Sequence, residues 1–507
     1  MKKAEWFKIK LYTHIGYPLT WRDKKKVCSY VKDEKKIAKH SFLPFIHKQI
    51  ITRKLRKKYD KEGNVLDGGK RAILPPKIRD IYYSSHLDAN IFGYYAHILE
   101  KKYSTILKEK KLEEVVTAYR KIPFNSTKKD GRNKCNIDFA NDVFNFIKTN
   151  AEKDIVAVTF DIKSFFDNLN HHKLKKSWAY TLGVDRLDDA HYNVFRNITK
   201  FSFVEEKDLF KLFQNRIIVK LPSGVIKQKK VNRLKYLQSQ GAIAFCEKKD
   251  IHLIRKKGLI RSNKYFNGKL RNFGICQGSP ISSVLANIYM LDFDEYINNE
   301  VEKVNGYYRR YSDDMVIVCP KNLKEYFVTT IEAQIEKITK LEIQPSKTQI
   351  FHFQKKSDRI ICMQEFDGKI NQNSINRNFE YLGFSFDGET ISIKTSTLAK
   401  YYRKMKLAVR RGQYYSSVIN NKSRGQVFKR RLYKQYSHIG ALRAKKYKRV
   451  RGKTNEWKVS LKYNWGNFIT YAKLSAKTLD GNNVKKQIKN HWKNLNNEIQ
   501  KNKNINH

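Results

Sequence analysis

The chain has 507 residues, of which 104 are Lys or Arg and 48 are Asp or Glu, so its formal net charge is +56. A compact chain with such an excess of positive charge repels itself unless a polyanion binds it. Its 30 tyrosines and 29 phenylalanines are interleaved with the basic residues, which favours nucleic acid over a membrane surface as that polyanion.

Several classes of protein are excluded by the same composition. No stretch approaches the roughly 18 consecutive apolar residues of a membrane-spanning helix. The first residues lack the apolar segment of a signal peptide. The six cysteines are scattered without a CxxC pair, so the sequence predicts neither a zinc site nor a disulfide framework. We therefore expect a cytoplasmic protein with reduced thiols and no membrane partner.

Residues 1–60 mix aromatic side chains with basic clusters. This composition predicts a helical, basic N-terminal extension that lies on RNA or on a neighbouring subunit. An amphipathic helix packed on the adjoining domain of the same chain is equally compatible with it.

A turn signal at residues 67–69 (DGG) precedes Lys70 and Arg71 at the start of a predicted strand. Two cations beside a flexible turn can close on a triphosphate, because they offer a point charge and a bidentate fork. Farther along, a serine at residue 84 or 85 is the predicted N-cap of a long helix.

A continuous apolar, β-branched run at residues 155–160 (IVAVTF) is typical of a strand buried on both faces, and Asp161 stands at its end. A charged residue at the end of such a strand is tolerated if its side chain points into a cleft. Asp167 lies shortly before the next predicted helix, and we expect it to be the N-cap of that helix.

Two features follow this strand. We interpret residues 203–270, which carry several basic clusters, as an insertion that binds RNA or a partner. Beyond it, the glycine and small residues of 277–280 (QGSP) allow the backbone to approach a ligand closely before a helix begins. Taken alone, this tetrapeptide is also compatible with an ordinary turn and helix start.

Residues 307–319 (YYRRYSDDMVIVC) predict a β-hairpin whose turn carries Asp313 and Asp314. Two acids on a stiff turn repel each other, so we expect a cation there. Magnesium suits the site, because it is bound by one or two carboxylates together with substrate phosphates. An isolated Asp-Asp pair is more often a solvated turn, and it is the third carboxylate, Asp161, that favours the functional interpretation.

A strand-end Asp beside a hairpin Asp pair is what two-metal phosphoryl transfer requires. One ion lowers the pKa of an attacking 3′-hydroxyl, and the other stabilises the leaving pyrophosphate. Asp161 and Asp313 would be the shared ligands, with Asp314 in support.

Residues 391–507 contain 30 Lys and Arg against three acidic residues, a balance suited to following a phosphate backbone. We expect a helical region in which residues 400–406 and 443–451 face an RNA·DNA hybrid or a structured RNA, although part of the charge is compatible with a solvated face. Residues 501–507 are expected to be disordered.

Residues 160–169 (FDIKSFFDNL), 277–280 and 311–314 (YSDD) resemble, in this order, motifs A, B and C of a reverse transcriptase palm. Residues 71–73 (RAI) resemble the fingers motif, with alanine where proline is usual. Lys347 resembles motif D, and residues 381–384 (YLGF) resemble the primer-grip motif E. The resemblance spans about 60–390 and implies an α+β, right-hand polymerase with fingers, palm and thumb, an antiparallel palm sheet, a basic N-terminal extension and a helical C-terminal thumb.

The resemblance also assigns roles to residues. The expected metal ligands are Asp161, Ile162, Asp313 and Asp314; the expected nucleotide-binding residues are Lys70, Arg71, Phe166, Gln277, Gly278 and Lys347; the expected primer and template contacts are Tyr311, Ser312, Tyr381, Leu382 and Gly383. Phe166 stands where these enzymes place the ring that excludes a 2′-hydroxyl, whereas Phe165 is expected in the core. Gln277 can hydrogen-bond the nucleotide or the template. Lys347 either protonates the leaving pyrophosphate or neutralises its charge.

The linking sequences at 84–89 (SSHLDA), 134–140 (KCNIDFA) and 285–294 (LANIYMLDFD) resemble bacterial defence-associated reverse transcriptases of the unknown groups. These are relatives of the abortive-infection enzymes and, more distantly, of retron and group II intron enzymes. The resemblance implies that the protein uses a structured non-coding RNA as template and dNTPs as substrates, with two Mg²⁺ ions that Mn²⁺ can replace. The implied product is an RNA·DNA hybrid or a cDNA, which in some relatives is repetitive or homopolymeric. The resemblance also implies a homo-oligomer and a role in anti-phage defence.

Two alternatives remain open. A retron-type enzyme would prime from an RNA 2′-hydroxyl, and a non-catalytic RNA-binding scaffold would carry a vestigial polymerase site. The expected domain division is an N-terminal extension at 1–60, fingers at 61–150, a palm at 151–390 that includes the insertion, and a basic thumb at 391–507.

Overall fold

The computed structural model describes residues 5–57, 59–60, 62, 64–125, 132–375, 377–417, 427–442, 444–450, 456–464, 466–479 and 481–501. The helices in these residues are α1 (Lys24–Lys32), α2 (Glu34–Ala38), α3 (His86–Glu109), α4 (Asn136–Asn150), α5 (His171–Leu182), α6 (Asp189–Thr199), α7 (Glu206–Phe213), α8 (Ile251–Lys256), α9 (Ser282–Tyr289), α10 (Leu291–Glu302), α11 (Lys324–Gln334), α12 (Thr395–Ser417), α13 (Lys429–Tyr436), α14 (Phe468–Thr478), α15 (Asn482–Ile488) and α16 (His491–Lys501). Among them, no helix is both long and apolar enough to cross a membrane.

The strands in the same residues are β1 (His14–Ile15), β2 (Phe45–Lys57), β3 (Arg71–Tyr83), β4 (Ile155–Asp161), β5 (Ser202–Glu205), β6 (Ile217–Lys220), β7 (Ile226–Lys229), β8 (Ala242–Cys246), β9 (Arg261–Ser262), β10 (Tyr265–Phe266), β11 (Lys269–Leu270), β12 (Tyr307–Tyr311), β13 (Asp314–Pro320), β14 (Gln349–Lys356), β15 (Arg359–Glu365), β16 (Phe379–Tyr381), β17 (Phe384–Phe386), β18 (Ile391–Ile393), β19 (Ala444–Arg449) and β20 (Trp457–Asn464).

The chain divides into two compact units. The first comprises Met1–Asp60, Asn64–Arg120 and Val158–Gln349, and the second comprises Lys61–Gly63, Lys121–Ala157 and Ile350–His507. The division into extension, fingers, palm and thumb stays a prediction.

Helix α3 is the longest helix of the first unit. Ser85 is its N-cap, and the serine hydroxyl accepts a hydrogen bond from the backbone N–H of Asp88 at 3.2 Å, which confirms the predicted serine cap. Asp88 in turn accepts hydrogen bonds from His40 Nε2 and from the backbone N–H of Leu43. These bonds fix the start of α3 against the segment that follows α2.

The insertion at 203–270 forms a sheet of its own in the first unit. Strands β6, β7 and β8 associate with the short β1 in the order β1-β8-β6-β7. A separate apolar core, which includes Leu209, Phe213, Phe245 and Ile254, fills the space between this sheet and its helices. The first strand of the insertion, β5, instead joins β2, β3 and β9 in a second sheet with the order β3-β2-β5-β9.

The predicted buried strand and the predicted hairpin both form. Strand β4 is buried, as its β-branched sequence requires, and β12 and β13 pair antiparallel from Tyr307–Val318 to Tyr311–Asp314. Strand β4 lies next to β13 in the same sheet. The predicted N-cap at Asp167 is wrong, because α5 begins only at His171, and Asn170 caps it by accepting a hydrogen bond from the backbone N–H of Lys173.

A buried ion pair holds the hairpin in place. The Arg310 guanidinium is fully buried and donates to both carboxylate oxygens of Asp294 on α10, at 2.6 to 3.0 Å. It also donates to Asn287 Oδ1 at 3.3 Å and to the backbone oxygen of Ser312 at 3.1 Å. The Tyr308 hydroxyl completes the network by donating to Asp294 at 2.9 Å. Helices α9 and α10 are therefore tied to the turn of the hairpin.

The second unit contains the α4 helix, the β14–β15 hairpin, the three-stranded sheet β16-β17-β18 and the helices from α12 onward. Apolar side chains of α12, α13 and α16 form its C-terminal core, including Met405, Leu432 and Leu495. The described part of residues 391–507 is mostly helical, as expected, although the hairpin of β19 and β20 interrupts it; its identity as a thumb stays a prediction. Of the predicted basic stretch 443–451, residues 443 and 451 lie outside the described residues, as do residues 502–507.

Replacing Asp294 by Asn should destabilise the protein by about 3–5 kcal/mol, because the Arg310 charge would remain buried without its counter-ion. Urea unfolding followed by circular dichroism measures this loss. Asp292→Asn is the matched control on the same helix: Asp292 pairs with Lys173 at the surface, and its side chain is 61% exposed, so its loss should cost at most about 1 kcal/mol. Equal losses for the two variants would contradict the assigned importance of the buried pair.

Candidate active site

The turn of the β12–β13 hairpin presents the predicted acid pair. Tyr311 is paired with Asp314, so Ser312 and Asp313 form the two-residue turn. Ser312 has φ +64°, a left-handed conformation that non-glycine residues seldom adopt, and its hydroxyl donates to the Tyr119 hydroxyl at 3.3 Å. Arg310 stabilises this strained turn by donating a hydrogen bond to the Ser312 carbonyl.

Asp161 joins this turn through the backbone. The N–H of Ile162 donates to the carbonyl of Asp313 at 3.3 Å, and the Asp161 carbonyl accepts from the N–H of Gln344 at 2.8 Å. The structure therefore brings Asp161, Ile162 and the Asp313–Asp314 pair together from two neighbouring strands. Lys347 comes from the segment just beyond Gln344, and its ammonium contacts an Asp161 carboxylate oxygen.

The electrostatics of the three carboxylates are coupled. The pKa of Asp314 is raised to about 6, mainly by desolvation and then by the charges of Asp313 and Asp161, against the opposite effect of Lys347 and Lys77. The Asp314 side chain is nevertheless exposed, so water reaches its carboxyl group. The cluster carries more negative charge than its two lysines neutralise.

Lys77 on β3 is a further cation that interacts with the carboxylate cluster. Partial burial lowers the pKa of Lys77, as do the neighbouring charges of Arg79 and Lys347, whereas Asp161 and Asp313 raise it. Only the register of the β2–β3 hairpin brings this side chain to the acids, so no sequence signal identified it.

Lys70 and Arg71 lie at the other end of β3, and both are exposed. Six residues separate Arg71 from Lys77, which corresponds to about 20 Å of extended strand. The two predicted triphosphate ligands are thus on the outer part of the hairpin. Their role stays a prediction.

The loop of residues 277–280 packs on the inner end of the same strand. The N–H of Tyr82 donates to the carbonyl of Gln277 at 2.7 Å. Gly278 has φ +111°, and a Cβ atom there would lie 2.7 Å from the Tyr82 carbonyl oxygen. Glycine is required at this position because both the backbone conformation and the available space exclude a side chain.

The segment after Asp161 is fixed against the same loop. The carbonyl of Phe166 accepts from the N–H of Ile275 at 2.8 Å. Phe165 is buried, as predicted for a core residue, while the ring of Phe166 is half-buried. The predicted role of Phe166 in excluding ribose is compatible with this exposure and stays a prediction.

The predicted primer-grip residues belong to the second unit. Tyr381 is buried and paired with Phe384, so Leu382 and Gly383 form a tight turn in which both have positive φ. The Leu382 carbonyl accepts a hydrogen bond from the Asn136 side chain at 3.1 Å. The contact of this turn with a primer stays a prediction.

The donor set of the cluster was tested for its fit to a metal ion. Across the described ranges, no three His, Cys, Asp or Glu side chains are grouped tightly enough to hold a metal as they stand. The chemistry nevertheless fits a hard divalent cation, because the donors are carboxylate oxygens with uncompensated negative charge. Asp161, Asp313 and Asp314 are the residues that would hold it.

Sequence reasoning missed Arg310 and Asp294. A signal was present, because Arg310 alternates with Tyr308 on one face of a strand whose partner strand is apolar. A cation on a buried face requires a buried acid. The sequence did not identify Asp294 as that buried acid.

Asp314→Asn should raise the melting temperature of the metal-free protein in EDTA. Because the pKa of Asp314 is raised from 3.8 to about 6, ionising this group costs stability as the pH rises from about 4 to about 6, and the full cost persists above pH 6. The stabilisation by Asn should therefore be larger at pH 8 than at pH 5. Asp292→Asn is the control without this pH dependence, and a gain that is independent of pH would contradict the coupling.

Gly278→Ala should destabilise the protein by about 1–3 kcal/mol, because the new methyl group meets the Tyr82 carbonyl and the backbone is strained. Gly183→Ala is the matched control: Gly183 has φ +76° with no atom near its Cβ position, so it tests the strain alone. Thermal unfolding compares the two. A loss for Gly278→Ala no larger than that of the control would show that the close approach is unimportant.

Comparison with known proteins identifies part of the chain. Residues 237–386 match the family of reverse transcriptases (RNA-dependent DNA polymerases). This range includes Gln277, Asp313, Asp314 and Lys347, and it begins after Asp161. None of the curated proteins matches the chain.

Telomerase structures are among the similar solved structures. Apo telomerase from Candida tropicalis is 11% identical with a TM-score of 0.35, over 80% of this chain and 60% of that one. The C. tropicalis and C. albicans telomerases in complex with a TWJ fragment of telomeric RNA are 12% and 14% identical, with TM-scores of 0.32 and 0.33, over 77% and 76% of this chain. They are covered to 54% and 53% of their own length, so this chain spans little more than half of these proteins.

The family match and the site geometry coincide in one region. The matched residues contain the hairpin of Asp313 and Asp314, and the strand of Asp161 lies beside that hairpin. Residues 237–386 therefore resemble a reverse transcriptase (RNA-dependent DNA polymerase) domain, within a chain of mixed α+β structure.

Proposed function

We propose that the protein copies a bound non-coding RNA into DNA by two-metal-ion nucleotidyl transfer. The observation that carries this proposal is the cluster of Asp161, Asp313 and Asp314 on neighbouring strands, within and beside the matched domain. The negative charge that raises the pKa of Asp314 is the charge that divalent cations would neutralise.

The carboxylates and lysines of the site have distinct tasks in this proposal. Reverse transcriptase domains generally use divalent metal ions, and Mg²⁺, which Mn²⁺ can replace, is the ion we assign to Asp161, Asp313 and Asp314. When bound, two such ions activate the 3′-hydroxyl and neutralise the leaving pyrophosphate. Lys347 is paired with Asp161, which places its ammonium at the carboxylates, where it would meet the charge of the pyrophosphate.

The remaining assignments concern the nucleotide. Phe166 would lie under the sugar and exclude a 2′-hydroxyl, which makes dNTPs the substrates. Gln277 and Gly278 would line the nascent base pair, because their loop is held against the end of β3. Lys77 is a further cation at the carboxylates, and Lys70 and Arg71 would meet the triphosphate from the outer part of the hairpin.

A dedicated RNA template is supported by charge. The formal charge of the chain is +56, and 30 basic residues lie in the last 117 positions (391–507). A permanently bound structured RNA would neutralise this surface and keep the template close. We further propose, from the resemblance of the linking sequences, that the protein works as a homo-oligomer in bacterial anti-phage defence in the cytoplasm.

Purification with the endogenous nucleic acid, followed by sequencing and by addition of labelled dNTPs with Mg²⁺, tests this proposal. A single discrete RNA and a labelled DNA complementary to part of it are the expected results. A covalent RNA–DNA branch would identify a retron-type enzyme instead. Heterogeneous RNA without incorporation would favour a non-catalytic scaffold.

The double variant Asp313→Ala, Asp314→Ala should reduce dNTP incorporation to background, since the metal-binding carboxylates of the hairpin are lost. It should co-purify with the same amount of RNA as the wild type. Asp292→Asn, which removes a surface acid nearby in sequence, should retain full incorporation. Normal incorporation by the double variant would refute the assignment of the active site.

A further inference from the structure

Strands β19 and β20 form a two-stranded ribbon, residues 444–450 and 456–464, in the second unit. They pair antiparallel with each other, and no third strand joins them among the described residues. A two-stranded ribbon by itself is only marginally stable in water.

One face of the ribbon is aromatic and exposed. Tyr447 is paired with Val459, and Arg449 with Trp457. Side chains alternate along a strand, so Tyr447, Trp457 and Val459 share one face. They are 66%, 63% and 52% exposed, respectively. Three large apolar side chains on one face of an unsupported ribbon indicate a surface that a ligand covers.

The charge of the ribbon identifies the class of that ligand. Residues 444–450 and 456–464 contain six Lys and Arg and a single acid, Glu456. A protein partner would need a strongly acidic surface, and three apolar side chains are a small area for a stable protein interface. A polyanion with flat apolar faces satisfies both the charge and the aromatic rings, and that combination describes an unpaired nucleic-acid strand.

We propose that the ribbon binds unpaired RNA, with the rings of Tyr447 and Trp457 stacked on bases and the surrounding cations on phosphates. The bases of a duplex are stacked on each other and leave their faces inaccessible, so the aromatic face selects single strands. Across the ribbon, diagonal neighbours such as these two residues are about 7–8 Å apart, a spacing that lets neighbouring bases meet both rings. The choice of RNA over DNA rests on the proposed function, whereas the binding itself needs neither metal nor dNTP.

Fluorescence anisotropy of the full chain, freed of nucleic acid and kept in EDTA, tests the proposal. The probes are a labelled 12-nucleotide RNA without self-complementarity, the same RNA annealed to its complement, and the DNA of the same sequence. A salt concentration of about 0.3 M is used, because it weakens any binding that depends only on phosphate contacts. Tyr447→Leu and Trp457→Leu should each weaken binding of the single-stranded RNA by about tenfold, with a change of less than about twofold for the duplex.

Two controls separate stacking from folding. Trp457→Phe keeps a ring and should retain most of the binding, and Tyr326→Leu removes a 46% exposed tyrosine of α11 and should change nothing. Equal losses for duplex and single strand, or no loss for either leucine variant, would overturn the proposal. Tighter binding of the DNA would overturn the assignment to RNA, and loss of self-association with unchanged RNA binding would show that the face contacts protein. Because no step of synthesis is measured, these results are independent of the polymerase proposal.

Discussion

The buried ion pair between Arg310 and Asp294 is the interaction on which the active-site hairpin depends. A fully buried guanidinium is tolerated only with its charge and its donors satisfied, and Asp294, Asn287 and the Ser312 carbonyl together satisfy them. The pair stabilises the fold weakly in net terms, because both charges lose their hydration. Its value is positional: it fixes a strained two-residue turn whose acids would otherwise push each other apart.

The acids above that pair are arranged for binding rather than for stability. Desolvation and mutual repulsion raise the pKa of Asp314 to about 6, while Lys347 and Lys77 compensate part of the charge from two different segments. A site with this imbalance binds cations strongly and costs folding energy when empty. The Arg310–Asp294 pair fixes the turn, and the carboxylate cluster on that turn costs stability. This combination is what we expect of a preorganised metal site.

Basic and aromatic residues recur in the second unit, where they have a different task. The helical core built on Met405, Leu432 and Leu495 accounts for the packing of its C-terminal helices, whereas Tyr447, Trp457 and Val459 of the ribbon are exposed. In our interpretation the matched domain binds the reacting 3′-hydroxyl and the incoming nucleotide, and the ribbon binds unpaired RNA by stacking.

The sequence by itself determined the strand of residues 155–160, the hairpin at 307–319, the serine cap of α3 and the three acids, because each depends on local periodicity or on a motif a few residues long. It failed at Asp167, where the chain makes one more turn before α5 starts, and it gave no fold for 203–270. Only the tertiary structure decided that Lys77 joins the acids, that Asp294 is the partner of Arg310 and that the Tyr82 carbonyl excludes a side chain at Gly278. These contacts join residues distant in sequence, and such pairings are set by strand register and helix packing.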